Sequence, residues 1–166
     1  MNELKMRLQE DAKHALKSGE QTKRLVLNML LTSIHNKEIE KRTKLSKEGI
    51  VSDLEKGSEL TDEEIVLSVF SEVKKRKEAI EIFQKGGREE LAVKERDELT
   101  ILESYMPEQL NENEVRDAVK RSISETGAKD IKEMGKVIGA VMGKIKGKAD
   151  GQMVSKIVKE ELSLSK

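Results

Sequence analysis

Cysteine is absent from the 166-residue chain, which leaves no disulfide, no thiolate metal site and no thiol nucleophile. Tryptophan is absent too, and the aromatic set is Phe70, Phe83 and Tyr105. Proline occurs once, at Pro107. No apolar run approaches the ~20 residues a membrane-spanning helix needs. Leu25 to Leu31 comes nearest and is broken by Asn28. The N-terminal stretch MNELKMRLQED is acidic and amphipathic, unlike a signal peptide. Neither sign of charge is in excess, since 32 Lys and Arg face 32 Asp and Glu. A globally basic nucleic-acid binder is thereby excluded, while a local basic patch is not.

What remains is helix-forming material. Charged residues make up 39% and hydrophobic ones 36%, dominated by Leu, Ile, Val, Met, Ala, Glu and Lys. The expected fold is all-α, in the cytoplasm, with no contact to a membrane. Leu4, Leu8, Ala12 and Leu16 stand four apart and predict a helix ending near Gly19. Leu27, Leu30, Leu31, Ile34 and Ile39 predict a second over 21–42. Residues 44–60 show no clean period and are expected to form a loop or a partly disordered hairpin tip. Thr61 and Glu64 have capping-box spacing and open a third helix that runs to Gly86-Gly87. A fourth covers about 88–105.

Tyr105-Met106-Pro107 marks a corner, because proline cannot sit inside a helix. Asn111 with Glu114 opens the next helix, Gly127 closes it, and Asp130 with Glu133 precedes another. Asp150 can cap a last one. We expect two domains, residues 1–97 with about four helices in long hairpins and residues 98–166 with three shorter helices. Residues 98–115 hold five acidic and no basic groups, whereas 116–148 hold nine basic and four acidic.

The most unusual segment is Met134 to Gly151, MGKVIGAVMGKIKGKADG, with glycine at every fourth position from 135 to 151. Each helical glycine costs roughly 1 kcal/mol against alanine. At roughly 100° per residue, Met134, Val137, Ile138, Val141, Met142 and Ile145 share one face. Gly135, Gly139, Gly143 and Ala140 fall opposite, with Lys129, Lys132, Lys136 and Lys146. Two partners fit such a bare, lysine-rimmed face. One is a ribose-phosphate chain, for which lysine supplies charge and glycine supplies clearance. The other is a helix packed closely through small residues. The segment is neither a Walker A loop, since Gly139 to Gly143-Lys144 is one residue short and Ile145 replaces Ser/Thr, nor a dinucleotide fingerprint, since no strand precedes it.

Thr61-Asp62-Glu63-Glu64, Lys74-Lys75-Arg76-Lys77, Phe83-Gln84-Lys85-Gly86-Gly87-Arg88, the run from Leu102 to Leu110 (LESYMPEQL) and the glycine segment, taken together and in order, resemble the YqeY family. The C-terminal part is similar to the tail domain of GatB, the tRNA-binding subunit of the glutamine-dependent Asp/Glu-tRNA amidotransferase. Gly135, Gly139, Gly147, Lys148, Ala149 and Asp150 stand where that tail keeps its glycine helix and following turn. Gly143 stands where it often has another residue. The resemblance implies two helical domains and a role near tRNA-linked amide chemistry, with tRNA and an aminoacyl-tRNA synthetase or amidotransferase as partners. It also carries an association with carbon–nitrogen ligases that use glutamine as amido-nitrogen donor.

The residues themselves argue against independent catalysis. Amide transfer needs an activated Cys or a Ser with its base, and no serine here lies in a glycine-rich elbow. His14 and His35 stand alone on separate helices. Glu63-Glu64 and Glu89-Glu90 complement helix N-termini. The expectation is a non-enzymatic protein without cofactor or metal. Its nucleic-acid contacts are Lys132, Gly135, Lys136, Gly139, Gly143, Lys146, Gly147 and Lys148, with Lys74, Lys75 and Arg76 as a second basic patch. A protein–protein module without RNA binding is the alternative.

Overall fold

The computed structural model describes residues 2–49, 52–145 and 147–164. Among them there are helices and turns but no strand. Five helices belong to the first part of the chain: α1 (Glu3–Ser18), α2 (Gln21–Lys47), α3 (Leu54–Ser58), α4 (Asp62–Lys85) and α5 (Glu89–Glu103). Three follow: α6 (Glu112–Thr126), α7 (Met134–Ile145) and α8 (Gly151–Leu164), with a 3-10 turn at Ile131–Glu133 leading into α7.

The chain divides into two compact units, Met1–Met106 and Pro107–Lys166. Helix α5 runs unbroken past residue 97, and Leu102 and Tyr105 are buried in the first core. The switch in charge pattern near 98 therefore lies within a helix, and the units part at the proline corner instead.

In the first unit α1 packs on α2 and α4 on α5. Their inward stripes, Leu8, Leu27, Leu30, Ile34, Ile65, Val69 and Leu102, are fully buried. Each such side chain contributes about 2 kcal/mol by leaving water. The first helix buries Leu8 and Ala12 as the spacing predicts, but Leu16 is 58% exposed. The Tyr105 hydroxyl donates to Asp11 Oδ2 at 2.6 Å and its ring lies 5.1 Å beneath the Arg7 guanidinium. Burial, then the Asp11 carboxylate, push its pKa above the usual phenol value.

Over residues 44–60 the structure departs from the expected loop: α2 continues through Lys47, and α3 forms within the segment. The last turns of α2 are held by polar contacts that leave no hydrophobic period. Lys41 reaches the Glu64 carboxylate at 2.9 Å and the Glu59 carbonyl at 3.2 Å, and Arg42 Nε donates to Ser58 Oγ at 3.3 Å. Leu45 lies over Gly57, where an added Cβ would stand 3.6 Å from its Cδ1.

The second unit packs α6, α7 and α8 against one another around Val115, Val119, Val137, Val141, Ile157 and Leu162. Asn111 accepts from Glu114 N at 3.0 Å while Glu114 accepts from Asn111 N at 2.8 Å, a complete capping box. Gly127 closes α6 with φ 67 and donates to Ile123 O at 2.9 Å. Arg116 ties α6 to α8 through Glu160 at 2.9 Å and Glu161 at 2.7 Å.

Ser122 is wholly buried in this unit, and its Oγ has no hydrogen-bond partner among the described residues. A buried hydroxyl without a partner costs about 1 kcal/mol or more. Ser122→Ala is thus expected to leave the protein as stable or more stable, by up to about 1 kcal/mol, in urea denaturation. A clear drop in stability would show that the hydroxyl is satisfied in solution.

Candidate functional site

Helix α7 begins after two local brackets. Asp130 Oδ1 accepts from Lys132 N at 2.7 Å, and Glu133 Oε2 accepts from Lys129 N at 2.8 Å. Val137, Val141 and Ile145 are buried, and Met134, Ile138 and Met142 pack partly buried beside them. The opposite face is bare, as the wheel predicts. Gly135, Gly139 and Gly143 are exposed, and among the described residues a Cβ added at any of them would meet no atom beyond the helix's own backbone within 4 Å. No described helix therefore uses these glycines for close packing. Gly143 lies inside regular helix, which continues to Ile145.

The other residues read from the sequence are placed differently from one another. Lys132, Lys136, Lys144 and Lys148 are exposed. Lys136 Nζ donates to the Thr126 carbonyl at 2.9 Å, so this ammonium caps the C-terminal end of α6. Lys144 is paired with the Glu125 carboxylate. Among the described residues, Lys132 and Lys148 have no side-chain hydrogen bond or ion pair. Gly147 is buried rather than bare. It turns the chain with φ 80, and its carbonyl accepts from Gln109 Nε2 at 3.2 Å. Asp150 caps α8 by accepting from Gln152 N at 2.7 Å. Lys146 lies outside the described residues. The contacts of Lys136 and Lys144 with Thr126 and Glu125 leave no mark in the sequence, because they join residues 10 and 19 apart across two helices.

The second basic run is largely neutralised. Lys75 meets Glu72 at 2.7 Å, Lys74 meets Glu78 at 4.0 Å and Lys77 meets Glu103 at 3.0 Å. Arg76 lies between α4 and α5, against Glu98 at 2.9 Å and Glu95 at 3.5 Å, with 15% of its side chain exposed. Its guanidinium joins two helices and has little left to offer a phosphate.

The acidic and imidazole candidates have structural places of their own. Glu64 closes the capping box of α4, accepting from Thr61 N at 2.8 Å. Burial pushes the Glu64 carboxyl up, but the Lys41 ammonium and the Thr61 N–H outweigh it and hold its pKa below the ordinary value. Glu89 accepts from Arg96 at 2.7 Å. His14 and His35 are exposed on α1 and α2. Among the described residues no group of three or more His, Asp or Glu is placed to hold a metal ion, and no helix is long and apolar enough to cross a membrane.

The family model described as Yqey-like protein matches residues 5–57 and 51–162. The chain is also similar to "Altered inheritance of mitochondria protein 41, mitochondrial" of Eremothecium gossypii, 32% identical over 100 residues. That alignment covers 60% of this chain and 46% of the relative, so the chain matches less than half of the relative's length.

Proposed function

The chain belongs to the Yqey-like protein family, and on that footing we propose that it binds tRNA as an accessory of glutamine-dependent amidation of aminoacyl-tRNA. It acts without catalysis of its own, beside an aminoacyl-tRNA synthetase or amidotransferase. The observation that carries the reading is the bare face of α7. Gly135, Gly139 and Gly143 leave helix backbone open to close approach, and Lys132 stands beside them, its ammonium unpaired among the described residues. A ribose-phosphate strand can lie against such a surface, held by charge and unobstructed by side chains. The similarity of the segment to the GatB tail supports the same partner.

Salt dependence tests it. Removing one lysine–phosphate pairing should lower the slope of log affinity against log salt by roughly 0.7 to 0.9. Lys132→Ala is expected to weaken tRNA binding and to flatten the slope by about that much, with the melting temperature unchanged. Lys136→Ala is expected to weaken binding and also to lower the melting temperature, because it uncaps α6. Salt-independent binding, or none, would favour docking of a protein helix on the same face.

A further inference from the structure

A second surface lies in the first unit, in the groove between α1 and α2. Its volume is about 380 Å³, and Lys13, Arg24, Gln9, Asn28, Leu16 and Leu31 are among its lining residues. No carboxylate is among the described residues that line it. Neither Lys13 nor Arg24 has a side-chain hydrogen bond or ion pair among the described residues. In a chain where many cations are paired, two free ones in a groove without acid are a local excess of positive charge. The grooves between α2 and α4 and between α6 and α7 carry both signs instead.

The surroundings are apolar. Leu16 is 58% exposed at the groove, and Ala12 and Leu31 complete its apolar lining. An exposed leucine framed by unpaired cations, beside a second leucine and an alanine, has the composition of a helix-in-groove docking surface. Among the described residues no aromatic side chain lines the groove to stack a base, which counts against single-stranded nucleic acid.

We propose that the groove between α1 and α2 docks an acidic amphipathic helix of a partner protein. Its leucine-type face covers Leu16 and Leu31, and its carboxylates meet Lys13 and Arg24. The carboxamides of Gln9 and Asn28 are left to bond the rim. The groove and the α7 face share no residue, so either reading can fail without the other.

The test uses the full chain and a fluorescein-labelled helical peptide of about 18 residues, with leucines at i, i+3/i+4 and i+7 and glutamates flanking them. A control peptide carries lysine in place of each glutamate. Anisotropy should show saturable binding of the acidic peptide, with a Kd on the order of 10 µM, and none of the control. Lys13→Glu with Arg24→Glu should weaken it at least ~10-fold, and Leu16→Asp similarly, with unchanged melting temperatures. Should a reversal lower the melting temperature, Lys13→Ala and Arg24→Ala replace it, with a smaller effect expected. Equal binding of both peptides, no binding, or indifference to these variants overturns the proposal. So does displacement of the peptide by an RNA oligonucleotide, or self-association of the chain that the same variants abolish; these assign the groove to nucleic acid or to a second copy.

Discussion

Gly139→Leu is expected to weaken tRNA binding at least ~10-fold while leaving the fold intact, a decrease of about 1.4 kcal/mol or more in binding. The two halves of that result have separate causes. The fold survives because, among the described residues, nothing beyond the helix's own backbone lies within 4 Å of the added Cβ, and the buried stripe of Val137, Val141 and Ile145 is on the other side of α7. The helix itself should gain up to about 1 kcal/mol, since leucine is a far better helix former than glycine. Binding falls because a branched side chain on the middle glycine holds any strand away from the backbone of both neighbouring turns. Gly139→Ala should show the same stabilisation with a smaller drop in affinity. Filter binding at two salt concentrations and thermal melting separate the effects. A melting temperature that rises with no change in affinity would mean that tRNA does not touch this face.

The second large effect is expected at Arg76. Replacing it with methionine keeps most of the apolar stem but leaves Glu95 and Glu98, 17% and 13% exposed, without the guanidinium that both contact. Removing one member of such a shielded network costs about 3 kcal/mol, chiefly through the charges left behind. Urea denaturation should show that cost for Arg76→Met, and Glu95→Gln with Glu98→Gln in the same chain should restore most of it. At temperatures where the variant is folded, its tRNA affinity should match the parent. Weaker binding by a fully folded Arg76→Met would return the arginine to a nucleic-acid surface.

The particular elements show which features a sequence can carry. Both capping boxes are legible because Thr61 with Glu64 and Asn111 with Glu114 act across three residues, within one turn. The bare face of α7 is legible because helix periodicity alone separates its two sides. The continuation of α2 to Lys47 is not. That end is held by Lys41 and Arg42 reaching Glu64, Glu59 and Ser58, and charge pairing leaves no period to read. The place of Arg76 is hidden for the same reason. Four basic residues in a row look alike, and their surroundings depend on α5 folding back from 19 and 22 positions further along. Lys136 illustrates the point within the candidate site. Periodicity puts it on the rim, but only the packing of α6 reveals that its ammonium is already used.

The three exposed glycines of α7 have a kinetic consequence as well. A helix built on them has an intrinsic penalty of roughly 2 to 3 kcal/mol compared with the same helix carrying alanine. It is held mainly by its contacts with α6 and α8. Local opening of α7 should therefore need less free energy than opening of its two neighbours, although Val137 and Val141 are as deeply buried as Val119 and Val158. Amide hydrogens of α7 should exchange with solvent deuterium ahead of those in α6 and α8. A ligand seated on the glycine face would then be read first as slowed exchange along this one helix, before any change in the protein's global stability is measurable.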